Sequence, residues 1–161
     1  MDIMNVPKMR KQENKDYINT VAIFDQLFGK WETTPTQMPE GYPTDMRYKV
    51  EKDGDEHFYN VEIKTRNTDL ERYPQLPLTV SKYENVMNDT MGFEKPIYVS
   101  LVNDTEYYIF DLSAIDINTV EKRLWHIKRK EYHKDGYEIW DDVPTYFFPI
   151  SIACAHGIIP K

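Results

Sequence analysis

PTDMRYKVEKDGDEHFYNVEIKTR, residues 43–66, reads as one β-hairpin, and the rest of the chain takes its place around it. Two runs of alternating apolar residues, 46–51 and 57–64, flank Asp53-Gly54, the pair that suits a two-residue type I′ turn. A turn that tight sets the register: Lys52 faces Asp55, Val50 faces His57 and Tyr48 faces Tyr59. Carried back along the strands, the same register sets Asp45 opposite Glu62. Lys64, two residues beyond Glu62, shares its face. Met46, Tyr48, Val50, Tyr59, Val61 and Ile63 make up the opposite face and read as core.

Directly opposed residues have Cβ atoms roughly 4.5–5.5 Å apart. Two carboxylates that close repel by about 3–4 kcal/mol at an effective dielectric of about 20. A proton, a basic side chain or a divalent cation must offset the repulsion. Mg²⁺ takes one or two carboxylates together with phosphate oxygens. A lysine beside such a pair can orient a water or steady charge on a phosphorane-like transition state. A cross-strand salt bridge on a solvated face is the other reading of the same three side chains.

Pro43-Thr44-Asp45, a hairpin and then Glu62-Ile63-Lys64 resemble the PD-(D/E)xK signature of the restriction-endonuclease-like nuclease superfamily. Thr44 stands between Pro43 and Asp45, where the family's motif has proline and aspartate adjacent. The resemblance implies that Asp45, Glu62 and the main chain of Ile63 hold Mg²⁺, with Mn²⁺ as a substitute, and that Lys64 assists the attacking water. It also implies an α/β (α+β) fold, three-layer α/β/α with a central mixed sheet, and DNA (or RNA) as partner. A homodimer is a further implication, because cutting two strands needs two sites. Many members carry an acid on the first helix; Asp25 is the candidate here and Asp16 the alternative. A non-catalytic nucleic-acid- or protein-binding module on the same fold is the alternative function.

The length of 161 residues suits one domain, read here as residues 15–161 behind a loose N-terminal arm, 1–14, that carries Lys8, Arg10 and Lys11. A formal charge of −7 argues against a non-specific nucleic-acid coat, though a metal-binding cleft is acidic by design. Cys154 is the single cysteine, which excludes a disulfide framework or a Cys₄ zinc site within one chain. The single cysteine suits a reducing, cytoplasmic setting, and no membrane partner is expected, since no apolar run approaches spanning length.

Residues 15–31 carry Tyr17, Val21, Phe24, Phe28 and Trp31 on one helical stripe. Around 31–37 an extended segment forms an edge strand. Residues 65–79 read as a polar loop in which Arg66, Arg72 and Gln75 are candidate phosphate contacts. Ser81 and Glu84 make a capping box for a second helix stopped by Gly92, and Lys82 in its first turn is a further candidate anion contact. Residues 96–102 and 106–112 read as a second hairpin. The order helix, strand, hairpin, helix, hairpin matches the α-β-β-β-α-β core of the resembled family.

Residues 113–134 interleave Lys122, Arg123, Lys128, Arg129, Lys130 and Lys134 with Trp125, His126, Tyr132 and His133. That alternation suits phosphate pairing and base stacking, or a solvated helix face. On a helix His126 and His133 lie two turns apart, too far to chelate one ion. Residues 136–160 are strand-like pieces broken by proline, with Tyr146, Phe147 and Phe148 expected in the core. Cys154 and His156 are too few for a structural zinc site.

Overall fold

A computed structural model describes residues 8–132 and 138–161; the side chains of 8–10, 129–132 and 138–139 are outside the description. Helix α1 (Lys8–Phe28) comes first, followed by β1 (Glu32–Gln37), β2 (Met46–Lys52) and β3 (Asp55–Arg66). After them come β4 (Gln75–Thr79), helix α2 (Val80–Asp89), β5 (Glu94–Val102) and β6 (Glu106–Asp111). Two long strands, β7 (Glu121–Tyr132) and β8 (Glu138–Pro149), and the short β9 (Ala155–Ile158) complete the chain.

The β2–β3 hairpin forms with the register that its turn demands. Asp53 and Gly54 take φ of 52° and 83°, both left-handed, as a type I′ turn requires. Lys52 pairs with Asp55, Val50 with His57 and Tyr48 with Tyr59.

The central sheet has six strands in the order β1-β2-β3-β5-β6-β9. It is mixed: β3 and β5 run parallel, and the other neighbours are antiparallel. Strand β5, KPIYVSLV after its first glutamate, is apolar almost throughout because both faces of the sheet are covered there. On one face Ile23 and Phe24 of α1 bury against Met46, Tyr48, Val61, Ile63, Val99 and Leu101. On the other, Tyr98, Val102 and Phe110 meet Val86 of α2 and Leu76, Leu78 and Phe148 of a second sheet. That second sheet has three strands in the order β4-β8-β7, all antiparallel. The described residues thus form a mixed α/β fold with a mixed central sheet and two α-helices. Its third layer, expected to be helical, is shared between α2 and the small sheet.

Several local expectations change. Helix α1 begins at Lys8, so residues 8–14 belong to it and not to an arm. Residues 1–7, and with them the rest of the proposed arm, lie outside the described residues, as do the side chains of Lys8 and Arg10. The N-cap of α2 is Thr79, whose hydroxyl accepts the Lys82 N–H, and the helix ends at Thr90 rather than at Gly92. Residues 75–79, read as loop, form β4 because their apolar Leu76 and Leu78 find Phe148 and Tyr146 across the ladder. Residues 121–132 are a strand, not a helix, because they pair with β8. His133 and Lys134 lie outside the described residues. Among the described residues no helix is long and apolar enough to cross a membrane.

Candidate functional site

Three strands and both helices bring charged groups to the point where β2 begins. Pairing of β2 with β3 stops at Met46 opposite Val61, and Asp45 lies just before the strand. The Val61 carbonyl also accepts the Asp45 N–H at 3.0 Å. Two residues against one is the count of a β-bulge, which bends a strand and re-aims a side chain. Asp45 is therefore not the plain cross-strand partner of Glu62 that strict alternation would make it. Its carbonyl accepts the Met38 N–H at 3.0 Å, and its carboxylate accepts the Ile63 N–H at 2.7 Å.

Thr44, the residue that departs from the resembled motif, explains the bend. It is buried, with its hydroxyl donating to Asn60 Oδ1 at 2.7 Å and lying 3.3 Å from Asp89 Oδ2. Asn60 Nδ2 donates to Asp89 Oδ2 at 3.1 Å and to Thr90 Oγ1 at 3.2 Å. Arg47 completes the cluster through Asp89 and Glu94, each at 3.0 Å. The threonine thus anchors the chain to the C-terminal end of α2 and leaves the next residue, Asp45, turned toward Ile63.

Glu62 projects to the α2 side of the sheet and is only 1% exposed. Lys64 Nζ lies 3.2 Å from its Oε1, and the lysine side chain is 29% exposed. The other carboxylate oxygen, Oε2, is buried and has no hydrogen-bond partner. Burial first, and then the Asp45 carboxylate, push the Glu62 carboxyl up to about 7, against the pull of Lys64 and Lys82. Asp45 is raised as well, again chiefly by burial. The Ile63 N–H, Lys64 and Lys82 work the other way, and Glu13 adds to the rise.

The structure therefore brings together Asp45, Glu62, Lys64, the Ile63 main chain and Lys82 from among the residues read from the sequence. Four others are engaged elsewhere. Arg66 turns into the second sheet, donating to the Pro77 carbonyl at 2.9 Å and lying 5.4 Å from the centre of the Trp125 ring. Arg72 lies over Tyr73 at 5.2 Å, and Gln75 donates to Glu121 at 3.0 Å. Asp25 accepts the Tyr48 hydroxyl at 2.7 Å and the Thr33 hydroxyl at 3.0 Å. It sits nine residues along α1 from Asp16, about 13 Å at 1.5 Å per residue. Asp16 accepts the Thr65 hydroxyl at 2.8 Å, one residue from Lys64, and burial raises its carboxyl. Glu13, whose charge acts on Asp45, was missed because the segment lacks apolar periodicity and read as arm.

The buried Glu62 Oε2 tests whether these groups suit a divalent ion. A buried acceptor without a partner costs about 1–3 kcal/mol or more, and a cation beside it removes that cost. Asp45 and Glu62 are hard oxygen donors in the number that Mg²⁺ ordinarily takes from protein. In a strand the N–H and C=O of one residue point to the same side, so the Ile63 carbonyl opens on the side of Asp45. Among the described residues no group of three or more His, Cys, Asp or Glu side chains is gathered as a metal cage. The donor set fits Mg²⁺ or Mn²⁺ better than zinc, since it holds no nitrogen or sulfur ligand.

No family model, curated protein or solved structure matches the chain.

Proposed function

We propose that this chain is a Mg²⁺-dependent phosphodiester hydrolase acting on DNA, built on a restriction-endonuclease-like fold. One observation carries the reading: a fully buried carboxylate oxygen, Glu62 Oε2, left without a partner on a side chain that feels a second carboxylate and two lysines. A structural ion pair has no use for that second acid, whereas a cation site does.

Asp45, Glu62 and the Ile63 carbonyl would hold the ion. When bound, it would supply Lewis-acid polarisation of a phosphoryl oxygen. Glu62, whose carboxyl burial raises to about 7, would hold the ion as its carboxylate. Lys64, 3.2 Å from Glu62, would orient water for in-line attack. Lys82, in the first turn of α2, adds positive charge on the same side and meets the phosphate. Cutting both strands of a duplex needs two such centres, which a homodimer supplies.

The test is cleavage of nicked, branched and linear DNA with Mg²⁺ or Mn²⁺ by the wild type and Lys64→Ala. A loss of about 10²- to 10⁴-fold is expected, the range for a positioned proton-transfer or water-orienting group. Equal rates in the two proteins overturn the reading. A non-catalytic module on the same fold is favoured by the Lys64–Glu62 contact of 3.2 Å, which already balances one charge. Calorimetric titration separates the two: Mg²⁺ binding that disappears in Asp45→Asn supports the enzyme, and no binding in either supports the module.

A further inference from the structure

Strands β7 and β8 are longer than the sheet that holds them. Strand β4 accompanies β8 only from Pro149 to Thr145. From Thr145 to the start of β8 at Glu138 the two strands continue as a ribbon with no third strand among the described residues. Seven residues at about 3.3 Å each carry the ribbon about 23 Å outward.

Its root lies at the rim of the site. Thr79 faces Thr145 at the point where β4 hands over to α2, and Lys82 follows in the first turn. Trp125, on one face of the ribbon, takes the guanidinium of Arg66, two residues beyond Lys64.

The other face carries an unusual set. Leu124 pairs with Pro144, His126 with Asp142 and Lys128 with Trp140, and directly opposed residues share a face. Lys122 belongs to the same alternating row. Leu124 is 63% exposed and Trp140 47% exposed, so the face shows apolar and aromatic surface to solvent. The rings of His126 and Trp140 are parallel within 4°, with centres 4.9 Å apart. Asp142 accepts the His126 Nδ1–H at 2.8 Å and so fixes the ring plane. That aspartate is engaged by the histidine, and Lys122 lies on the same face as the stack. A pre-ordered aromatic pair with an ammonium group on the same face matches a strand with flat bases and a phosphate backbone. In a duplex the base faces are already covered, so the complement is an unpaired strand.

We propose that the projecting β7–β8 ribbon holds an unpaired nucleic-acid strand, with a base stacked on the Trp140–His126 pair and a phosphate at Lys122. The proposal rests on the reading of the neighbouring site as one that cuts nucleic acid, and it makes the substrate a junction, flap or nicked end rather than a continuous duplex.

Binding is measured without cleavage, by fluorescence anisotropy of labelled oligothymidylate and of a hairpin duplex, in EDTA and at fixed salt. Trp140→Ala should weaken the single strand by about 5- to 150-fold, the worth of one base–aromatic stack, with little change for the duplex. Trp140→Phe should restore most of the affinity, and Lys122→Glu should lower both the affinity and its salt dependence. Trp140 is half exposed, so the variants are expected to fold; matching circular dichroism and melting curves check this. Trp140-dependent binding by a protein that never cleaves with Mg²⁺ supports the ribbon and sinks the catalytic reading alone. Equal affinity of Trp140→Ala and wild type for oligothymidylate, or no binding by either, overturns the ribbon proposal whatever the cleavage assay shows.

Discussion

Glu62→Gln should change how stability depends on pH, by an amount that the burial of this side chain sets. The Glu62 carboxyl stands at about 7 in the folded chain against an ordinary value of 4.5. Below the lower value the group is protonated whether folded or unfolded, and it contributes no pH dependence. Between the two values the unfolded chain has lost the proton and the native chain keeps it. The native state then binds more protons, so stability falls as pH rises. At about 1.4 kcal/mol per pH unit the fall amounts to about 3 kcal/mol and is complete once pH exceeds the folded value. Glutamine removes the ionisation. Its amide also loses the contact with Lys64 and brings its own unpaired group, but that cost is the same at every pH and cancels from the slope. Urea denaturation followed by circular dichroism, from about pH 5 to about pH 9, measures the difference. The wild type should lose about 3 kcal/mol more than Glu62→Gln across that range. Asp45 is raised in both proteins and drops out of the comparison to first order. A gap between the two proteins that stays constant with pH would refute the argument from burial. The same samples with Mg²⁺ test the ion. At about 100 times its dissociation constant it should stabilise the wild type by about 2.7 kcal/mol above pH 7, and Glu62→Gln far less.

The buried cluster beside the site gives a second expectation. Asn60→Ala removes the closer acceptor of the Thr44 hydroxyl and one of the donors to Asp89, which should cost about 1–3 kcal/mol in urea denaturation. Because Thr44 directs the bend at Asp45, Mg²⁺ affinity by calorimetry should fall in the same variant. Gly54→Ala should cost about 1–2 kcal/mol through backbone strain alone, since φ is +83° and nothing lies within 4 Å of the added methyl; an unchanged melting temperature would contradict the type I′ turn.

Local chemistry made some elements legible from the residues alone. Asp53-Gly54 fixed the hairpin register because a two-residue turn leaves the strands no freedom to slip. The stripe through Tyr17, Val21, Phe24 and Phe28 marked α1, and these side chains pack on the central sheet. Glu62 and Lys64 followed from alternation along β3, and they meet. Lys82 drew notice as a cation in a first turn, where the helix dipole disfavours it; two neighbouring carboxylates account for it.

Other features depend on what lies across the chain. Residues 121–132 could alternate in a helix or a strand until β8 paired with them. Arg66 shares the face of Lys64 by spacing, yet Pro77 and Trp125 draw it into the second sheet. Glu13 has no periodic signal of its own and reaches Asp45 only because α1 packs on the central sheet. The placement of Asp45 itself was decided by tertiary contacts, through Thr44 docked on Asn60 and Asp89. Sequence periodicity reports which residues share a face. How deeply a carboxylate is buried, and which charges stand beside it, follows only from segments distant in the chain packing together.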